Sequence, residues 1–229
     1  MSEQHDPQDP IGTSTDHTSL AQQLAAYQTQ LAQLPADATE LEHARVLLDI
    51  AETHLAMEQK ENAWNIAREA VSTFIEQEQW QLAVEAYNVL FQAEQPASLS
   101  ALGQGTWLAV TFPIEANTSV AMLQHVVDET PDDSDAGAVA AIAAHYIADI
   151  RSDDDKHESL TFLTQNILGK VAKRHSNIST QAELEMWLEK LALKDPQAFL
   201  PRLGAIIDAI VEDNWWFDRD TLREKLPVH

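Results

Sequence analysis

The sequence predicts an all-α protein in which an array of helical hairpins, residues 19–95, is followed by an α-helical C-terminal region, residues 96–229. Apolar residues recur at spacings of three and four through most of the chain, which is the pattern of helices with one buried stripe. The periodic segments are joined by short connections, so we expect neighbouring helices to pack antiparallel. The apolar content of 45% suits a globular protein with its own core.

The N-terminal helix is expected to begin after a polar segment. Residues 1–18 contain two prolines and a glycine and show no apolar period, which predicts a disordered tail. Helical periodicity starts at Ser19 and is interrupted at Pro35. The buried stripe of this helix is expected to consist of Leu20, Leu24, Tyr27 and Leu31.

Three further helices complete the predicted hairpin array. One runs from about Glu40 to Met57, the next begins near Glu61, and the last begins near Trp80. Each has its apolar residues on one face, as an amphipathic helix does. The expected core residues include Leu41, Ala44, Leu47, Leu48, Ala51, Leu55, Trp64, Ala67, Val71, Phe74, Ala83, Val84, Tyr87 and Leu90.

Residues 102–114 have two interpretations. Gly103 and Gly105 precede a run of β-branched and aromatic residues that ends at a proline, which is typical of a strand. The same residues could instead belong to a helix from about Ala97 to Phe112. We favour the helix, because a strand without a partner elsewhere in the chain is not stable.

The rest of the chain also has helical periodicity. It resumes at Asn117, the acidic residues 128–135 predict a loop and a helix start, and residues 136–150 predict an alanine-rich helix. Residues 151–156 are expected to form an exposed loop or linker. Further helices are predicted at residues 160–173, 181–193, 196–211 and 219–226.

The composition excludes several classes of chemistry. The chain has no cysteine, which excludes disulfides, thiolate zinc sites, iron–sulfur clusters and a cysteine nucleophile. The sequence has no signal-like N-terminal region and no run near the ~18 apolar residues of a membrane span, so we expect a cytoplasmic protein. Neither a Gly-x-Ser-x-Gly elbow nor a phosphate-binding loop occurs, and we expect no catalysis and no cofactor.

The charge of the chain is acidic and unevenly distributed. There are 14 Lys and Arg residues against 37 Asp and Glu residues, a formal charge of −23. No basic residue lies between Arg68 and Arg151, a segment of 82 residues with 12 acidic ones. Such a surface repels nucleic acid and anionic lipid. We therefore expect a protein partner with a basic surface, and neither nucleic acid nor a membrane.

One group of side chains has the chemistry of a metal site. His125 stands three residues before Asp128 and four residues before Glu129, on one helix face. His145 stands four residues before Asp149 on the next helix. If the two helices form a hairpin, these pairs could converge. The alternative function is then a metal-dependent hydrolase or a metal-delivery protein. Only fragments of a di-metal motif are present, so structural histidines and no metal are the favoured interpretation.

A basic patch precedes the last helices. Lys170, Lys173, Arg174 and His175 lie at the end of a predicted helix, where cations stabilise the helix dipole. The same four residues could instead dock on the acidic half of the protein or on an acidic partner.

Aromatic residues supply the candidate partner anchors. Trp215, Trp216 and Phe217 are consecutive, and they either cover the C-terminal helices or contact a partner. Trp215 and Trp216 are the first candidates for partner binding. The second candidate surface is the hairpin groove around His54, Trp64 and Tyr87.

Part of the hairpin array resembles tetratricopeptide repeats. Ala51 and His54 stand where the family has a small residue and a following tyrosine. Ala63 and Ala70 stand at the family's small positions in the second helix of the repeat. Trp80, Ala83 and Tyr87 form a further half-match. The resemblance covers about residues 38–95 and lacks the family's glycine and closing proline. It implies partner binding through a concave groove.

A second resemblance rests on three short segments, residues 107–113, 128–131 and 215–218. Together they are similar to uncharacterised bacterial proteins encoded beside hydrogenase genes. The predicted function is a non-enzymatic cytoplasmic adaptor, or an assembly or maturation factor for a larger complex. A third alternative is an acidic mimic that occupies the anion-binding site of a partner.

Overall fold

The computed structural model describes residues 11–226, with side chains from residue 18 onward. Within that range the chain is all-α and contains no strand. The helices are α1 (Ile11–Ala32), α2 (Glu40–Ala56), α3 (Lys60–Glu76), α4 (Trp80–Gln92), α5 (Ser98–Thr111), α6 (Ala116–Glu129), α7 (Asp135–Arg151), α8 (Asp154–Ser176), α9 (Gln181–Lys190), α10 (Pro196–Val211) and α11 (Arg219–Arg223).

Helices α1 to α8 form an array of helical hairpins in which each helix packs against the next, whereas the sequence predicted such an array over residues 19–95 only. The even-numbered helices α2, α4, α6 and α8 also contact the next even-numbered helix, and so form one layer. Helices α3, α5 and α7 form the other layer, and α10 lies against both α5 and α7. The stacking continues past residue 95, because α5 packs on both α4 and α6.

Helix α5 is buried on nearly all sides, and its glycines explain how. A Cβ atom on Gly103 would lie 2.5 Å from Cγ2 of Val211 on α10. On Gly105 it would lie 2.6 Å from Cβ of Tyr87 on α4. The glycines therefore let neighbouring helices approach closely, and the helix interpretation of residues 102–114 is confirmed. The strand-like composition reflects burial in the core rather than pairing in a sheet.

The α2–α3 and α3–α4 turns have the same geometry. In each, a glutamate after the helix takes a left-handed conformation, with φ of 59° and 55°. The next amide donates back into the last helical turn, from Gln59 to the His54 carbonyl and from Gln79 to the Phe74 carbonyl, both 2.8 Å. This closure is usual for helices, although glycine normally fills the left-handed position. The two glutamates are Glu58 and Glu78.

Two arginines from the second half of the chain cap helix ends. Arg151 donates to the carbonyls of Ala109 and Val110, both at 2.8 Å, at the end of α5. Arg174 donates to the Val127 carbonyl at 2.7 Å, near the end of α6. The C-terminal carbonyls of a helix carry partial negative charge, so each guanidinium stabilises the helix end that it contacts.

Two predicted boundaries differ from the structure. Helix α1 begins at Ile11, so a helix replaces the predicted disordered tail over residues 11–18, while residues 1–10 lie outside the described range. Each residue added to an existing helix gains a hydrogen bond, so the helix can extend beyond its apolar stripe. The predicted linker at 151–156 is only a two-residue connection between α7 and α8. None of the helices described is long and apolar enough to cross a membrane.

Candidate functional site

The layer of even-numbered helices carries a polar face on α2, α4 and α6. These helices pack directly on one another, so side chains one or two turns apart on each helix come together across the layer. The polar face consists of Asp49, Glu52, Gln81, Glu85, Asn88, Thr118 and His125.

Hydrogen bonds between helices order part of the polar face. Gln81 donates from Nε2 to Thr118 Oγ1 at 2.8 Å, and its Oε1 accepts from the Glu115 amide at 3.1 Å. Nε2 of His125 lies 3.0 Å from Oδ1 of Asn88. Gln81 and Asn88 of α4 are therefore held against α6.

Carboxylates dominate the electrostatics at the α2–α4 end of the polar face. Burial raises the pKa of Glu52, and the nearby negative charges of Glu85 and Asp49 raise it further. Burial also raises the pKa of Asp49. The negative charges of Asp49 and Glu85 disfavour the ionised form of Glu52, so a cationic group near Glu52 would be bound favourably.

A cleft of about 420 Å³ adjoins the polar face where α4 ends and α5 begins. Phe91 and the 50% exposed Leu99 are among its apolar lining residues, and Glu94 and Glu129 also line it. The Phe91 ring packs against the ring of His125, with 4.8 Å between centroids. Apolar surface beside carboxylates can take an apolar anchor that is flanked by basic residues.

The acidic segment of residues 69–150 is neutralised only in part by the described chain. Its ion pairs are Glu78 with Lys225, Glu94 with Lys60, Asp132 with Arg174, Asp135 with Arg202 and His175, and Asp149 with His157. The carboxylates of this segment without an ion pair in residues 18–226 are Glu69, Glu76, Glu85, Glu115, Asp128, Glu129 and Asp133. Seven of the 12 negative charges therefore remain uncompensated there.

Half of the predicted basic patch docks on this acidic segment. Arg174 lies 3.6 Å from Asp132, and His175 lies 3.1 Å from Asp135. His175 also accepts a hydrogen bond at Nδ1 from Nε1 of Trp187, at 3.2 Å. The other two members of the patch, Lys170 and Lys173, are exposed. The patch thus joins the two halves of the protein through Arg174 and His175.

The histidines of the alternative metal site point in different directions. His125 bonds to α4, whereas Nδ1 of His145 lies 2.9 Å from Thr164 Oγ1 on α8. Burial lowers the pKa of both imidazoles, against the opposing effects of Asp128 and Glu129 on one and of Asp149 on the other. No group of three or more His, Asp and Glu side chains in residues 18–226 is arranged to hold a metal ion.

The predicted aromatic anchors and the predicted groove are in contact with each other. Trp216 stacks on Tyr87 at 5.6 Å and meets the edge of Trp64 at 6.1 Å. The guanidinium of Arg68 lies 4.0 Å from the centre of the Trp216 ring. Phe217 contacts Tyr87 as well, at 6.4 Å. The C-terminal segment thus fills an aromatic groove between α3, α4 and α5.

Gln104 of α5 holds the backbone of this C-terminal segment. Its Oε1 accepts from the Trp216 amide at 2.8 Å, and its Nε2 donates to the Asn214 carbonyl at 3.2 Å. Gln104 has no exposed surface. A buried amide costs free energy unless its donor and acceptor are satisfied, so these bonds favour the docked segment.

The predicted partner-binding residues are buried or half-buried in the structure. Tyr87 has no exposed surface, and burial raises the pKa of its phenol far above the ordinary value. His54 is buried, and its Nδ1 lies 2.6 Å from Oε1 of Gln59 in the α2–α3 turn. Trp64, Trp215 and Trp216 are half-buried against the core. In this conformation the aromatic anchors and the groove cover each other.

Sequence reasoning missed Gln104 and the cluster of Asp49, Glu52 and Glu85. Gln104 lies inside a segment whose strand or helix character was open, and its partners are more than 100 residues away in the chain. The carboxylates lie on two helices whose register the sequence does not define. The helical spacing of Asp49 and Glu52 was the available signal.

Comparisons with known proteins give no further assignment. No protein-family model matches the chain, and neither the curated proteins nor the solved structures include a significant match.

Proposed function

We propose that this chain is a non-enzymatic protein-binding module, an adaptor or an assembly factor, whose polar face contacts a basic surface of another protein. The observation that carries the proposal is the excess of carboxylates in residues 69–150 that no cation of the described chain pairs. Like charges at this density destabilise the compact state of a free monomer, and a basic partner surface relieves that repulsion.

The Asp49, Glu52 and Glu85 cluster marks where the contact begins. The raised pKa of Glu52 reflects burial and like charge, both of which oppose its ionised form. Arg45 lies one turn before Asp49 on α2, but it is not in an ion pair with a described carboxylate. A lysine or arginine from a partner would offset the repulsion that Asp49 and Glu85 exert on Glu52.

The adjoining cleft supplies the apolar part of the proposed contact. Charge complementarity raises the association rate and selects the partner, while buried apolar anchors provide most of the affinity. Phe91 and Leu99 offer such a surface beside Glu129. The preferred ligand is an apolar side chain with a lysine or arginine nearby in the partner. The sequence resemblance makes a hydrogenase complex the first assembly to examine.

The test is affinity purification from the cells of origin with a charge-neutralised variant. Glu85→Gln, Asp128→Asn and Glu129→Gln together remove three unpaired charges near the polar face. We expect the polypeptides that co-purify with the wild type to be lost, and the remaining wild-type capture to weaken as salt is added.

A matched variant removes three charges elsewhere. Asp37→Asn, Glu61→Gln and Glu158→Gln change exposed carboxylates outside the acidic segment and outside the C-terminal segment. This control is expected to capture the same polypeptides as the wild type. If both variants lose the co-purifying polypeptides equally, binding depends on net charge alone. If both variants retain them, the polar face is not the contact surface.

A further inference from the structure

The C-terminal segment, residues 214–226, is bound to the aromatic groove in the way that a separate peptide would be. Gln104 bonds only to backbone atoms of the segment, the Asn214 carbonyl and the Trp216 amide. Trp216 lies against Tyr87 and under the guanidinium of Arg68. The groove thus contacts the backbone of Asn214 and Trp216 and one aromatic side chain.

The connection between α10 and this segment favours release. Glu212 follows α10 with φ of 54° and ψ of −129°, a conformation that residues with a Cβ atom rarely adopt. Asp213 and Asn214 after it are exposed. A strained and solvent-exposed junction gains freedom when the segment leaves, which offsets part of the lost contact.

The attachment of the segment itself is shallow and partly ionic. Its aromatic residues are only half-buried, and Leu222 is its one fully buried side chain in residues 214–226. Lys225 bonds to Glu78 at 2.9 Å, and the partly exposed Arg223 pairs with Asp220 at 2.8 Å and lies 5.7 Å from the Trp107 ring centre. A terminal segment whose aromatic side chains stay partly exposed can open at a lower free energy than the core, despite its aromatic contacts with the groove.

If residues 214–226 left the aromatic groove, apolar surface would be exposed to water. Release would uncover Trp64, Tyr87 and Trp107 together with the amide of Gln104. Exposed aromatic surface is unfavourable, and the buried Gln104 amide would keep only its bonds to Ser100 and Tyr87. An open groove therefore requires another occupant that offers the same groups.

We propose that residues 214–226 are a built-in ligand, and that a partner segment of the same chemistry replaces them in the aromatic groove. That segment carries two adjacent aromatic residues followed three residues later by an arginine, as Trp215, Trp216 and Arg219 do in this chain at the start of α11. The groove lies on the α3–α5 side of the array, so this second contact goes beyond the polar face proposed above and does not require it.

The test measures exposure of a cysteine placed in the segment of the full-length protein. Because the chain has no cysteine, Leu222→Cys introduces a single thiol at a buried position. Ala141→Cys, in the buried core of α7, is the matched control that reports global unfolding. We expect Leu222→Cys to react with a thiol reagent about 10-fold faster or more, since local opening needs less free energy than unfolding.

The displacement step uses a synthetic peptide of residues 212–226. We expect the peptide to accelerate labelling of Leu222→Cys in proportion to its concentration and to leave Ala141→Cys unchanged. A peptide with alanine in place of Trp215 and Trp216 is expected to have no effect. If Leu222→Cys fails to fold, Leu226→Cys takes its place, because Leu226 packs on the core from the same segment.

Three results would overturn the proposal. Equal labelling rates for the two cysteine variants would make the segment part of the global core. A peptide without effect would show that the groove does not accept an occupant in trans. A dimer in light scattering, with labelling that depends on protein concentration, would make a second copy of this chain the occupant. None of these results bears on the polar face, because the peptide assay contains no basic partner surface.

Discussion

The two layers of the helical array differ in what covers them. Helices α3, α5 and α7 are covered by α10 and by the segment after it, and the contacts there are aromatic, apolar or made to buried amides. Helices α2, α4 and α6 present side chains such as Glu52, Gln81 and Glu85 to the surface. The layer of α3, α5 and α7 is thus covered by the C-terminal part of the chain, whereas the layer of α2, α4 and α6 has a polar surface.

The difference shows that the C-terminal region has two roles in one fold. It supplies the apolar cover for the second layer, and it supplies Arg174, Arg202 and Lys225, which neutralise some carboxylates of the acidic segment. It leaves the Glu52 and Glu85 side of the array without cations. We therefore expect a partner to bind where the carboxylates have no cation of this chain to neutralise them.

The largest expected effect comes from breaking the covered layer at Trp216. Trp216→Ala removes contacts with Trp64, Tyr87 and Arg68 and should lower the free energy of unfolding by about 2–4 kcal/mol, since the ring is half-buried. Phe162→Ala is the control, because that ring is 67% exposed, and it should change stability by less than about 0.5 kcal/mol. Urea unfolding measures both. Equal effects would contradict the assignment of Trp216 to the covered layer.

A second expected effect concerns the close approach of α10 and α5. Gly103→Ala puts a methyl group against Val211 and should destabilise the protein by about 1–3 kcal/mol. Gly204→Ala, on α10, meets nothing within 4 Å and should stabilise it by about 0.5–1 kcal/mol through helix propensity. Thermal unfolding of both variants measures the pair. A stabilising Gly103→Ala would show that α10 does not pack closely on α5.

On the polar layer, removing charge is expected to stabilise the free protein. The pKa of Glu52 is raised in the folded state, so its ionisation destabilises folding above the ordinary value of 4.5. Glu52→Gln should raise the urea midpoint near pH 7, and the gain should disappear below pH 4.5, where the wild-type carboxyl is protonated as well. Glu61→Gln, on the exposed side of α3, is the matched substitution. A Glu52→Gln variant less stable at pH 7 would contradict the like-charge account.

A smaller effect of opposite sign is expected from the histidine on the same face. Burial lowers the pKa of His125 in the folded state, so the unfolded chain binds a proton more readily, and stability falls as pH decreases below the ordinary value of 6.5. His125→Gln keeps an amide that can bond to Asn88, and should reduce that loss. His43→Gln, at the exposed start of α2, controls for the substitution. Identical pH profiles for wild type and His125→Gln would contradict a neutral, buried imidazole.

Most of the fold could be predicted from the sequence because it depends on local periodicity. The apolar stripes around Leu47, Phe74 and Leu90 define three helices, and all three residues are buried. The helix at Gly103 was harder to predict, since a helix buried on all sides has no polar face and its composition resembles that of a strand. Its identity depends on contacts with α4, α6 and α10, which are made in three dimensions.

The candidate site was less predictable for a related reason. The aromatic residues Trp64, Tyr87 and Trp216 were all identified, but as two separate surfaces, because sequence alone does not show that one fills the other. Packing of His125 on α4 and of His145 on α8 likewise depends on tertiary contacts. The sequence therefore identified the residue types of the candidate site, but it did not show which of these residues lie close together in the fold.

Carboxyl footprinting by mass spectrometry tests the central claim most directly, with the free protein compared with its affinity-captured complex. If the polar face is the contact surface, labelling of Glu52, Glu85 and Glu129 should decrease in the complex, while Asp37 and Glu158 remain labelled as in the free protein. Decreased labelling at Asp37 and Glu158 with no change at Glu52 and Glu85 would contradict the account.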